Sequence, residues 1–364
     1  MFNKKITALF VAIFLVIGVL TGCKAQDQYE KYTDSFFDTF DTVVTVMGYT
    51  KSKDEFDAYV DKIEAEFVRL NKLYDIYNNY EGINNIKTIN DNAGVKPVKV
   101  DKEIIDLILF AKKWYEATGG KTNVAMGAVL KIWHDYRTDG KDNPEIAKLP
   151  PMEALQEAAK HTDISKVIVD VENSTVYLED EKMSLDVGSV AKGYATELVT
   201  QMIVKEGFTS GIINAGGNVR TFGKPLDGKR DFWGIAVQNP DEFIVSDGSS
   251  SLDTLFVNDK SVVTSGDYQR YYVVDGKAYH HLIDPVTLMP GDYFRAVAIV
   301  TDDSGLGDFL STTIFLTPYE EGRKLVESLD GVEALWIKKD GTIEATKGME
   351  KLMKSKGASA NKRN

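Results

Sequence analysis

Ser184-Leu185-Asp186-Val187-Gly188-Ser189-Val190-Ala191-Lys192-Gly193-Tyr194 reads as a short strand turning into a helix. Met183, Leu185 and Val187 alternate with polar residues, the period of a half-buried strand, and Gly188-Ser189 mark a turn. Val190, Tyr194, Leu198 and Met202 then recur at helical spacing. A helix start presents free N–H groups and the positive end of its dipole, and so attracts anions such as phosphates. Lys192 adds a full charge there, and Asp186 places a carboxylate at the strand end. An ordinary strand-turn-helix carrying a solvated lysine satisfies the same pattern.

Working outward, Phe37 to Met47 reads as a strand, Phe56 to Tyr77 and Ile104 to Tyr115 as amphipathic helices, and 135–152 as loop. Val167 to Leu178 is a predicted hairpin. Gly211–Ala215, Trp233–Val237, Ser261–Thr264, Tyr271–Val274 and Arg295–Thr301 follow as strands, and helices start near Ser304 and Tyr319. Strands joined by short turns outnumber helices in the second half. The pattern argues for an α+β fold, with mixed or antiparallel sheets flanked by helices, in a single two-lobed domain.

The first residues bear on location. Lys4 and Lys5 precede an uncharged apolar run from Ile6 to Leu20, which ends at Leu20-Thr21-Gly22-Cys23. That order is a secretory signal, and the run is short for a membrane span. Cys23 is the only cysteine of the 364 residues. Its position after Leu-Thr-Gly resembles a bacterial lipobox, in which the thiol is acylated. The expected organisation is a signal over 1–22, a polar tether over 23–35, a catalytic domain over 36–350 and a basic polar tail over 351–364. A lipid anchor would hold the protein on the extracytoplasmic face of the cell membrane. The net charge of −12 excludes a nucleic-acid partner, which requires clustered Lys and Arg.

Three further segments carry chemistry. Asn214-Ala215-Gly216-Gly217-Asn218 ends a strand in a glycine pair that admits close backbone approach, without the spacing of a dinucleotide fingerprint or P-loop. Asp308 and Thr312 are four apart and share a helix face with Ser311 nearby; carboxylate and hydroxyl together are hard donors suited to Mg²⁺. A dipole-favoured Asp and a packed Thr are the plainer alternative. His281, three residues before Asp284-Pro285, could carry a proton or position a partner, a structural histidine being the plainer alternative.

Taken together these segments resemble the ApbE family, the FAD:protein FMN transferases. The resemblance runs from Phe37 to Lys347. It rests on Phe40-Asp41-Thr42-Val43-Val44-Thr45-Val46-Met47-Gly48, Thr118-Gly119-Gly120, Ala125-Met126-Gly127, Leu185 to Ala195, Asn214 to Asn218, Ser265-Gly266-Asp267-Tyr268, His281 to Pro285 and Asp308 to Thr312. It implies Mg²⁺-dependent cleavage of FAD, transfer of FMN through a phosphoester bond to a Thr or Ser of an acceptor flavoprotein, and release of AMP. The implied FAD contacts are Met47, Tyr77, Asn123, Asp186 and Lys192, beside Gly216 and Gly217. Asp308 and Thr312 are the implied side-chain metal ligands, and Ser189 lends its backbone carbonyl. His281 is the implied catalytic histidine, with Asp284 beside it. The chain departs from the family pattern at Ser189, at Asn218 and Asn123 where Asp is frequent, and at Leu288 where Gly is frequent. FAD pyrophosphohydrolysis to FMN and AMP, and a non-catalytic ligand-binding lipoprotein, are the alternative functions. With an extracytoplasmic anchor, the acceptors would be subunits of redox pumps or extracellular electron-transfer proteins.

Overall fold

The computed structural model describes residues 29–240 and 251–362. The predicted signal, Cys23 and the first part of the tether lie outside the described residues. The chain opens with β1 (Glu30–Thr39) and β2 (Thr42–Thr50), then helices α1 (Lys53–Tyr74) and α2 (Ile86–Asp91). A short β3 (Val98–Lys99) precedes helices α3 (Lys102–Ala117), α4 (Gly127–Asp142) and α5 (Met152–Ala159). Next come the hairpin β4 (Val167–Asp170) and β5 (Thr175–Leu178), helix α6 (Ala191–Lys205), and strands β6 (Gly211–Ala215) and β7 (Asn218–Phe222). The strands β8 (Trp233–Gln238), β9 (Ser251–Val257), β10 (Ser261–Gly266), β11 (Tyr272–Val274), β12 (Lys277–Tyr279) and β13 (Phe294–Thr301) follow. Helices α7 (Ser304–Phe315) and α8 (Tyr319–Glu327), strands β14 (Glu333–Lys338) and β15 (Ile343–Ala345), and α9 (Lys347–Glu350) complete the chain.

The frame is an eight-stranded sheet in the order β1-β2-β6-β7-β10-β13-β14-β15, antiparallel at every step. Alternation along the strands divides its side chains between two layers. Val44, Val46, Ile213 and Ala215 join α1 and α6 residues in one core, and Val297, Ile299 and Trp336 continue that layer against α7 and α8. Tyr49, Val262, Ala296, Ala298 and Leu335 face the other way, onto the β8–β9 hairpin. The architecture is α+β, as expected.

Helix α1 shows how local chemistry sets an element. Phe56, Val60, Ile63, Phe67, Leu70 and Leu73 form one buried stripe, each worth roughly 2 kcal/mol. The helix begins three residues before Phe56, because the Ser52 hydroxyl caps it by accepting the Glu55 amide at 3.2 Å. It ends at Tyr74 rather than Tyr77. The Asp75 carboxylate captures the Tyr77 and Asn78 amides at 2.6 and 3.1 Å, an Asx turn that diverts the chain.

Four expectations are corrected. Residues 30–35, read as tether, belong to β1 and pair with β2. Residues 351–362, read as a solvated tail, pack on the β8–β9 hairpin: Met353 is buried, and the Phe256 amide donates to Leu352 at 2.9 Å. The 135–152 segment is largely helical. Gly140, half of an apparent turn signal, lies inside α4, where a Cβ would sit 2.6 Å from the Tyr272 ring. Met183–Val187 is extended but not a ladder strand; its one bridge is Ser184 with Met126. Its backbone bonds go elsewhere. The Asn90 side chain clasps Leu185 at both N–H and C=O (2.7 and 2.9 Å), and Asp186 N–H donates to Val124 at 2.8 Å.

Candidate active site

The site is assembled where α6 begins. The Gly193 amide in its first turn donates to Asp308 Oδ2 at 2.8 Å, a buried bond that ties α6 to α7. A Cβ at Gly193 would stand 2.3 Å from the Ser304 carbonyl and 2.5 Å from Asp308 Cβ. Only glycine permits this approach, so Gly193 decides where Asp308 stands relative to Lys192. Thr312 lies one turn beyond Asp308 on the same face, and both are nearly buried, at 8 and 7 % exposed. Ser311 is engaged elsewhere: its hydroxyl bonds the Asp308 carbonyl and Ser265 Oγ, at 2.9 and 2.8 Å. Lys192 donates to Asn218 Oδ1 at 2.9 Å and approaches the Gly216 carbonyl at 3.4 Å. Burial holds its ammonium below the usual lysine range, while the Asp308 charge acts in the opposite direction.

The glycine pair closes this side. Gly216 and Gly217 have φ of 56° and 94°, and a Cβ at Gly216 would collide with Thr42 Oγ1 at 2.0 Å. The β6–β7 turn therefore sits directly against the β1–β2 turn. Ser189 occupies the turn before α6. Asp186 folds back on that turn, accepting the Gly188 amide at 2.9 Å. Burial raises the Asp186 carboxyl, against the pull of His134, Arg137 and Arg270.

Tyr77 stands opposite, 54 % exposed. Its hydroxyl lies 3.2 Å from His134 Nδ1 with ring centroids 5.1 Å apart, and Arg137 reaches the same nitrogen at 3.2 Å. Burial, then the Asp186 charge, push the Tyr77 phenol up to about 12.

The β12–β13 connection brings the histidines. His280 is buried and bonded at both nitrogens, to Gly291 O at 2.8 Å and from the Leu282 amide at 3.2 Å, a structural arrangement. His281 differs. Its Nδ1 is buried without a hydrogen-bond partner. Burial, then the charges of Arg270, Arg137 and His280, hold its imidazole down at about 3, against the Gln269 backbone. It is neutral at physiological pH. Asp284 is buried, with both oxygens engaged: Lys121 Nζ at 2.9 Å on one, the Val286 and Thr287 amides at 2.7 and 3.2 Å on the other. That geometry makes it the anchor of the loop behind His281. Leu288 takes a left-handed φ of 60° in the same loop, its side chain buried and its carbonyl held by Trp133 Nε1 at 2.9 Å.

Two expected contacts stand apart. Met47 shares its strand face with Tyr49 and packs in the layer under the β8–β9 hairpin, away from α6. The Phe40–Thr42 turn, seven residues earlier, is the part of β1–β2 that borders the site: Asp41 acts on the Tyr77 phenol and Thr42 abuts Gly216. Asn123 spends its side chain within the protein, donating to Thr162 O and accepting from the Ala125 amide, both at 2.8 Å.

The Asp308 and Thr312 pair fits a hard divalent cation: one carboxylate, one hydroxyl, and the Ser189 turn at the adjoining helix start. Among the described residues no group of three or more His, Cys, Asp or Glu side chains is placed to hold a metal ion. A site so sparing in carboxylates suits Mg²⁺, which leaves most of its shell to water and phosphate.

Comparison with known proteins gives the family and the fold. The sequence model of the ApbE family matches residues 40–336. The chain belongs to the ApbE family. A Treponema pallidum protein named FAD:protein FMN transferase is 32% identical over 276 residues, 72% of this chain and 73% of that protein. A Klebsiella pneumoniae protein of the same name is 31% identical over 259 residues, 71% and 76% of the two chains. The crystal structure of the ApbE protein from Thermotoga maritima superposes with a TM-score of 0.76 at 29% identity, covering 89% of this chain and 99% of its own. The flavin transferase ApbE from Vibrio cholerae, at 20% identity and a TM-score of 0.72 over 88% and 97%, shares the fold.

Within this ApbE site, sequence reasoning did not reach His134, Arg137, Arg270, Asn90 or Lys121. His134 and Arg137 share a helix face at i and i+3, a signal hidden by the reading of 135–152 as loop. Arg270 stands two residues beyond the quoted Ser265–Tyr268 motif.

Proposed function

We propose that this chain is a Mg²⁺-dependent FAD:protein FMN transferase acting on a Thr or Ser hydroxyl of an acceptor protein, with release of AMP. The observation that carries this reading is the α6–α7 junction. Gly193 holds a carboxylate and a hydroxyl of α7 against the lysine-bearing start of α6, in a chain of this family. A diphosphate concentrates negative charge and gains more at the leaving oxygen as its P–O bond breaks. A cationic helix start, Lys192 and a cation on Asp308, Thr312 and the Ser189 carbonyl answer that demand. Bound there, Mg²⁺ would supply Lewis-acid charge neutralisation.

The chain's own groups account for the rest. Tyr77, exposed and backed by His134, offers a ring against which an aromatic group stacks. The acceptor oxygen forms a bond to the phosphorus of the FMN half as the bond to the adenylate oxygen breaks. AMP leaves with that oxygen and its electron pair, and the hydroxyl proton passes to neutral His281. Asp284 positions the loop that carries the imidazole. Cys23 as the lipid attachment point, and an acceptor exposed outside the membrane, complete the proposal.

Incubation with FAD, Mg²⁺ and a candidate acceptor, followed by mass spectrometry, tests it. The acceptor gains one FMN and AMP appears in equal amount. Free FMN with an unmodified acceptor supports hydrolysis instead, and stable FAD binding without AMP overturns both.

A further inference from the structure

The arginines of the chain fall into two groups. Among the described residues, Arg69, Arg220, Arg230, Arg295 and Arg323 each pair with a carboxylate. Arg137 and Arg270 do not. Arg137 bonds the His134 ring, and among the described residues Arg270 has neither a hydrogen-bond nor an ion-pair partner. Both lie in the site. Arg270 follows Gln269, whose backbone bonds His281, and lines a cleft of about 430 Å³ with Gly140 and Lys141 of α4, Pro144 and residues 271–273. Its backbone is left-handed, with φ of 46°, a conformation that side-chain-bearing residues rarely adopt. Its side chain is exposed.

A guanidinium without an ion pair among the described residues, near a second one, leaves positive charge that Asp186 opposes only at a distance, without a direct ion pair. The Arg270 charge disfavours protonation of Arg137, Lys192 and His281 and favours ionisation of Asp186 and Tyr77, so it faces all the functional groups of this side. A guanidinium fork matches phosphate oxygens, and mutual repulsion among such cations is relieved by a polyanion.

We infer that Arg270, supported by Arg137, is a catalytic residue that binds the diphosphate of the dinucleotide and carries the charge developing on the leaving adenylate. This rests on the FMN-transfer reading. It also couples binding to chemistry: a diphosphate that neutralises the pair removes the part of the His281 suppression that these charges add to burial, so the imidazole becomes a better base when substrate is present.

The test uses the wild-type protein, Arg270→Gln, the conservative Arg270→Lys, and Arg323→Gln as a surface control. ADP binding with Mg²⁺ is followed by calorimetry, the His281 ring by NMR titration, and FMN transfer by acceptor mass. Arg270→Gln is expected to weaken ADP at least about tenfold and lower kcat about 10²-fold. Arg270→Lys recovers part of both, and Arg323→Gln changes neither. ADP moves the His281 titration to higher pH in the wild type but not in Arg270→Gln. Unchanged ADP affinity and kcat in Arg270→Gln overturn the inference while leaving FMN transfer intact. So does a rise confined to the acceptor KM, which would assign the cleft to the acceptor. Arg270-dependent ADP binding without any acceptor modification supports the clamp and overturns the transfer reading instead.

Discussion

At the α6–α7 junction Asp308 is nearly buried, one carboxylate oxygen is committed to the Gly193 amide, and no Cβ fits between the helices. At the rim formed by α4 and the Arg270 turn, Tyr77 and Arg270 are exposed and two guanidiniums lack carboxylate partners. The first region is prebuilt by packing, the second by charge left uncompensated. The contrast teaches that one site can divide its labour: a packed half fixes where its groups stand, and an open half carries charge not paired within the described protein.

The hardest blow to the comparison is Asp308→Asn, which keeps an oxygen for the Gly193 amide but removes the charge. It is expected to lower kcat about 10³-fold with a nearly unchanged Tm, in contrast to Asp308→Ala, which also strands a buried donor at a cost of about 1–3 kcal/mol. Steady-state kinetics and calorimetric melting distinguish the two, and an active Asp308→Asn would dissolve the prebuilt half. Replacement of His281 by Ala should reduce transfer about 10²-fold while FAD affinity stays nearly constant; a fully active variant refutes its role as base. Gly193→Ala forces α6 from α7 and should destabilise by about 1–3 kcal/mol, measured by denaturant unfolding. At the rim the sign reverses. Arg270→Gly relieves a left-handed backbone and should raise stability by about 1 kcal/mol while transfer falls, so a lower Tm would show that the turn is unstrained.

Acid sharpens the same contrast. His281 is held at about 3 when folded, against about 6.5 when unfolded, so the unfolded chain binds the extra proton first. Its contribution to stability is fully present above about pH 6.5 and is lost progressively down to pH 3. Burial sets most of this, the charged and titratable neighbours Arg270, Arg137 and His280 add to it, and Arg270→Gln should narrow the window. Melting of His281→Asn should show a shallower acid limb than the wild type.

What was legible in the sequence follows from locality. Gly211–Ala215 was read with its exact bounds, and the helix from Ser304 with its start, because alternation and capping act over neighbouring residues. The family and the α+β class were readable for the same reason: each rests on short motifs and local patterns. Asp139-Gly140 and Asn143-Pro144 misled because the burial of Gly140 under Tyr272 belongs to no local pattern. β2 alternation turns Met47 toward the hairpin layer, while the Phe40-Asp41 turn carries the chain to the site.

By itself, then, the order of residues determined which segments would be extended or helical and which side chains could serve phosphate chemistry, since those depend on intrinsic dihedral preferences and side-chain chemistry. The tertiary structure alone decided that Asp308 meets α6 through a glycine, that Asp284 is taken by Lys121, and that Arg137 and Arg270 both act on Asp186 without a direct ion pair to it. Those are relations between residues distant along the chain, and only close packing of the elements sets the distances at which charge and hydrogen bonding act.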